Sequence, residues 1–86
     1  MAKYTGLFEH LCKAGDGPVE LSFDAIGTLV GGMPTSAYTY STWWGNEVDG
    51  RHVQARAWMN AGRMVDHADL TRQTVRFSAA GWNRGS

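Results

Sequence analysis

Glycine and proline cut this chain into short pieces, and that limits its fold more than any other feature. Breaks fall at Ala14-Gly15-Asp16-Gly17-Pro18, at Gly31-Gly32-Met33-Pro34, at Gly45-Asn46 and at Gly62. Glycine admits left-handed backbone, and proline lacks the amide hydrogen that a continuing helix needs, so both punctuate regular structure. No apolar run approaches the ~20 residues that cross a bilayer. The expectation is several short elements around one core, in a single domain of 86 residues.

The pieces between breaks carry readable periods. Tyr4, Leu7, Phe8, Leu11 and Cys12 recur at helical spacing, which predicts a helix over Tyr4 to Lys13 with all five on its buried face. Val19 to Leu21 alternates like a short strand. Ser22 is placed to cap a second helix from Phe23 to about Val30, with Asp24 in the first turn, where the helix dipole favours negative charge. Phe23, Ile26, Leu29 and Val30 form its apolar stripe. Thr35 or Ser36 opens a third helix reaching to about Trp44, although Thr, Ser and Tyr have poor helix propensity.

Glu47 to Gly50 reads as a polar loop. Val53, Ala57 and Ala61, with Trp58 beside them, predict a fourth helix from Val53 to Ala61, stopped by Gly62. Arg63 to Leu70 and Thr74 to Ser78 read as a hairpin joined through Thr71-Arg72-Gln73, with Val75 and Phe77 on one face. An isolated hairpin is marginal in water, so the early strand is expected to join it as a third. The predicted class is α+β and winged-helix-like: three to four short helices, a short early strand and a C-terminal β-hairpin. Residues 1–80 are expected to form the domain. Residues 81–86 are expected to be a loosely ordered tail, from which Trp82 can pack back.

Hydrophobic residues make up 43% of the chain and aromatics 12%, enough for a core without metal or disulfide staples. The single cysteine, Cys12, excludes an intramolecular disulfide and a cysteine-based zinc site. A reducing, cytoplasmic location is the expectation, since Met1 to Tyr4 lacks an apolar signal core. No HExxH, GxSxG, phosphate-binding Walker loop or CxxC occurs, and His52 and His67 fall in different predicted elements. Neither a cofactor, a metal site nor catalysis is expected.

Net charge is zero but unevenly spread. Residues 1 to 49 hold two lysines against six acids, and residues 50 to 86 hold six arginines against two acids. Such halves attract each other within one fold, and they also suit a homodimer. Two polar stretches stand out as candidate surfaces. Ser36 to Asn46 is dense in hydroxyls and aromatics. Its adjacent rings, Trp43 and Trp44, point about 100° apart on a helix, so one of them is expected in the core. Arg51 to Trp58 offers Arg and Gln, the side chains that pair with guanine and adenine edges. It sits just before the hairpin, where a winged helix carries its recognition helix, and Arg72 falls at the wing tip.

The expected function is non-catalytic DNA binding, with a protein-interaction module, such as a phage or mobile-element factor, as the alternative. A membrane partner is not expected. The candidate contacts for DNA or a protein partner are Ser36, Tyr38, Tyr40, Trp44, Asn46, Arg51, Gln54, Arg56 and Arg72.

Six motifs together have a family likeness: Tyr4 to Leu7, Val19 to Ile26, Pro34 to Ala37, Trp43-Trp44-Gly45-Asn46, Gln54 to Gly62, and Val75 to Phe77. Across nearly its whole length the chain resembles a family of small uncharacterised bacterial domains, common in actinobacteria. The resemblance implies no catalytic residues. Because such domains are sometimes joined to nuclease-type domains, it hints at nucleic acid. Three positions depart from that pattern. Tyr38-Thr39 stands where a basic residue often follows Ser-Ala, Arg63 where Trp often follows Ala-Gly, and Ser78-Ala79 where the last strand often ends in basic residues.

Overall fold

The computed structural model describes residues 3–46 and 53–80. The predicted polar loop Glu47 to Gly50, Arg51 and the tail from residue 81 lie outside them. In chain order come helix α1 (Thr5–Lys13), strand β1 (Val19–Ser22), helices α2 (Phe23–Val30) and α3 (Thr35–Thr39), a 3-10 turn (Ser41–Trp44), helix α4 (Ala55–Asn60), and strands β2 (Val65–Asp69) and β3 (Thr74–Phe77). The class is α+β, and the three strands form one antiparallel sheet in the order β1-β3-β2. The early strand therefore does join the hairpin, with Val19 opposite Phe77 and Leu21 opposite Val75.

Local chemistry accounts for α2. The Ser22 hydroxyl accepts the Ala25 N–H at 3.0 Å, satisfying one of the amide groups that a helix start leaves without a partner. At the other end Gly31 adopts the left-handed conformation, φ 78°, which glycine enters without Cβ strain. The third helix is shorter than its spacing predicts. It ends at Thr39, because Tyr40 turns extended (φ −121°, ψ 120°) before the 3-10 turn begins. The Thr39 hydroxyl also donates to the Thr35 carbonyl at 3.0 Å, a back-bond that weakly helical Ser and Thr residues favour.

Two predicted core positions are corrected. Cys12 is exposed, because α1 buries Leu7 and Leu11 and leaves Phe8 half-buried. Cys12 lies one further turn along the Phe8 edge of that stripe. Val53 is also exposed, since α4 packs through Ala55, Ala57, Trp58 and Met59. Strand β2 starts at Val65, two residues later than expected, and bulges at Asp66 so that Val65 faces Phe77 while His67 faces Arg76.

The core is a continuous run of rings. Phe77 meets Trp58 at 5.7 Å between centroids, Trp58 stacks on Trp44 at 5.9 Å, and Trp44 stacks on Phe23 at 5.0 Å. Trp43 meets Trp44 edge-on and Tyr4 meets Trp43 edge-on, which carries the run from the sheet to α1. Edge-on and offset stacking are the arrangements that ring quadrupoles favour. Both deeply buried indoles are satisfied: Trp44 Nε1 donates to the Ala37 carbonyl and Trp58 Nε1 to Asn46 Oδ1, each at 2.9 Å.

Candidate functional site

Exposed hydroxyl-bearing residues line α3 and the 3-10 turn, and Thr71, Arg72 and Gln73 are exposed at the hairpin turn. Along α3, Ala37 is buried and Tyr38 is half-buried, so the helix presents Thr35, Ser36 and Thr39 outward. Tyr40, Ser41 and Thr42 continue this ridge, all exposed. No Asp, Glu, Lys or Arg occurs from residue 25 to residue 46, so the ridge is neutral throughout.

Phe23 ties this ridge to the hairpin turn. Its ring meets Tyr38 edge-on at 5.5 Å, and its backbone N–H donates to the Gln73 carbonyl at 2.8 Å. The turn itself is fixed by Asp69, whose Oδ1 accepts from the N–H groups of Thr71 and Arg72, both at 3.0 Å. That side-chain mimicry of a backbone turn leaves the Arg72 side chain exposed at the tip.

Of the residues expected at a binding surface, Ser36, Tyr40, Arg56 and Arg72 are exposed and Tyr38 is half-buried. Three others serve the interior. Trp44 is 2% exposed and sits at the centre of the aromatic run, which settles which of the paired tryptophans is core. Gln54 is buried, its Nε2 donating to the Trp43 carbonyl at 2.8 Å. Asn46 is spent on Trp58 and Val65: Oδ1 accepts from Trp58 Nε1 and from Val65 N, and Nδ2 donates to Val65 O. Asn46 thus commits its carbonyl oxygen and one amide hydrogen to the fold rather than to a ligand.

The described arginines are spread over different parts of the fold. Arg56 projects from α4, and Arg76 lies on the outer sheet face, 3.9 Å from Asp66 in an exposed pair of small energetic weight. Arg63 is wholly buried. Its Nε donates to the Leu11 carbonyl at 3.3 Å, and Nη1 donates to Gly17 and Ser78 carbonyls at 2.7 and 3.0 Å. Nη2 reaches the Gly15 carbonyl. The guanidinium thus knits the end of α1 and the loop before β1 to the end of β3, and the helix C-terminus supplies favourable negative potential.

Beside Arg63 lies an open cleft of roughly 340 Å³, lined also by Cys12, Asp16 and Asn60. Among the described residues, no group of three or more His, Cys, Asp or Glu could hold a metal ion. No helix among them is long and apolar enough to cross a membrane.

Thr35 and Thr39 were not among the expected contacts. Their signal was present in the sequence. A four-residue break, Gly31 to Pro34, separates two helical segments, and Pro-Thr-Ser starts the second. That is the spacing of a helix-turn-helix pair.

Among the described residues, the fold is a small α+β domain of four short helices, a 3-10 turn and a three-stranded antiparallel sheet. Residues 4–80 match the family described as Domain of unknown function (DUF7662), and the chain belongs to that family. No curated protein and no solved structure matches it.

Proposed function

We propose that this domain is a non-catalytic, winged-helix-type DNA-binding module of the cytoplasm, with α3 rather than α4 as its reading helix. One observation carries the reading. Phe23 holds α3 and the hairpin turn side by side, through its ring on Tyr38 and its amide on Gln73. A reading helix and a wing need that proximity to engage one duplex. The element order and the sheet order β1-β3-β2 suit the same architecture. α4 is a poor reading helix, because burial of Ala55, Ala57, Trp58 and Met59 leaves only Arg56 and Asn60 outside. The contacts in this reading are Thr35, Ser36, Thr39, Tyr40 and Arg72, with Arg56 as a flanking phosphate contact. Hydroxyls serve either phosphate oxygens or base edges. Two copies related by a two-fold axis would present two such helices to successive half-sites.

Fluorescence anisotropy with a labelled random-sequence duplex at low salt tests the proposal. Binding that weakens in Arg72→Ala supports it, and absence of binding by the unaltered protein rejects it.

A protein partner is the second reading. It is favoured by the neutrality of residues 25 to 46 together with their exposed hydroxyls and Tyr40. Tyr and Ser supply contact area and adaptable hydrogen bonds in protein-binding surfaces.

A further inference from the structure

Tyr40 is 60% exposed, the most exposed large hydrophobic side chain among the described residues. Most of the described aromatic residues join the ring-on-ring run of the core, but Tyr40 has no ring partner among the described residues. Its backbone is nevertheless fixed on both sides. Its N–H donates to the Ser36 carbonyl at 2.9 Å, and its carbonyl accepts from Trp43 N at 3.1 Å. Trp43 is itself anchored, by Tyr4 edge-on and by Gln54 on its carbonyl. An exposed ring on a fixed pedestal loses little freedom on binding, so the contact it makes is pre-organised.

The surroundings of Tyr40 select its partner. Thr39, Ser41 and Thr42 flank it, and the nearest charges in sequence are Asp24 and Glu47, both acidic. No cation in this segment draws a phosphate, whereas the flat face of a base stacks on an aromatic ring without any charge. From this, and resting on the nucleic-acid reading above, we infer that Tyr40 stacks on an unpaired base. The preferred ligand is then a duplex with a single-stranded overhang or other unstacked nucleotide, held by Arg72 and α3 on the paired part.

The test uses the whole chain and two labelled ligands, a blunt 16-base-pair duplex and the same duplex with a four-nucleotide overhang. The expected result is tighter binding of the overhang form. Tyr40→Ala should weaken that form about tenfold and the blunt form by less, so that the preference is lost. Tyr40→Phe keeps the ring and should keep the preference. Both variants are at a largely exposed position, and circular dichroism verifies their fold. Equal affinity for the two ligands, or an overhang preference that survives Tyr40→Ala, overturns the stacking inference while the duplex-binding reading stands. Loss of binding to both ligands by the unaltered protein overturns both.

Discussion

The side-chain amide of Asn46 pairs with both backbone polar groups of Val65, donating to its carbonyl at 3.0 Å and accepting from its N–H at 2.8 Å. It behaves like one residue of an additional strand at the start of β2. The same Oδ1 also accepts from Trp58 Nε1, so one amide joins the 3-10 turn, α4 and the sheet. Asn46→Ala leaves a wholly buried indole N–H without a partner. The expected loss is about 2–4 kcal/mol, since each unsatisfied buried group costs about 1–3 kcal/mol. Urea denaturation measures it, and an unchanged midpoint would contradict the assignment.

Arg63 is a cation whose hydrogen bonds all run to backbone carbonyls of Leu11, Gly15, Gly17 and Ser78. Lysine carries the same charge but lacks the planar fork. Arg63→Lys is therefore expected to destabilise the fold by about 2–3 kcal/mol, since hydrogen bonds to charged groups contribute about 1.5–3 kcal/mol. Hydrogen exchange should quicken first at Ala80, whose N–H donates to the Asp16 carbonyl in the loop that Arg63 holds. Uniform quickening across the sheet would show that the guanidinium is not a local clamp.

Helices α1 and α2 touch at Gly6. A Cβ there would stand 2.3 Å from the Leu29 carbonyl oxygen, a backbone atom that cannot swing aside. Gly6→Ala must separate the two helices, at a cost of about 1–3 kcal/mol for an overpacked contact. Alanine otherwise favours a helix over glycine, so a rise in Tm would refute this crossing.

Tyr4 responds to alkali. Its partial burial raises the phenol's pKa above the ordinary 10.0. The unfolded chain then loses this proton before the folded one does. The resulting contribution to stability is complete below pH 10.0 and disappears as pH rises through the folded value. Tyr4→Phe cannot ionise, so the two proteins should diverge in stability only above that pH. Parallel curves to pH 11 would contradict the burial argument.

Element by element, the fold is legible where its cause is local. Ser22, Asp24 and Gly31 announce the limits of α2, and Val75 and Phe77 announce the inner face of the hairpin, because caps and alternation act within a few residues. The roles of Asn46, Gln54 and Arg63 depend on partners far away in the chain. Arg63 meets Leu11 across a separation of 52 residues, and no local pattern encodes that. A buried arginine and a solvated one look alike in a sequence. The same applies to the candidate surface. Arg72 at a turn and Ser36 early in a helix are visible beforehand, but the choice of α3 over α4 rests on which helix the aromatic core consumes.

The most direct test of the nucleic-acid reading is a duplex titration repeated across salt concentrations, comparing the unaltered protein with Thr35→Ala/Thr39→Ala and with Arg72→Ala. Each phosphate contact adds about −0.9 to the slope of log K against log salt. With Arg56 and Arg72 as the phosphate contacts of the proposed reading, the predicted slope is shallow, about −2. Arg72→Ala should reduce it by about 1, whereas the α3 double variant should lower affinity without changing the slope. An affinity unaltered in both variants, or no binding at low salt, would contradict the account.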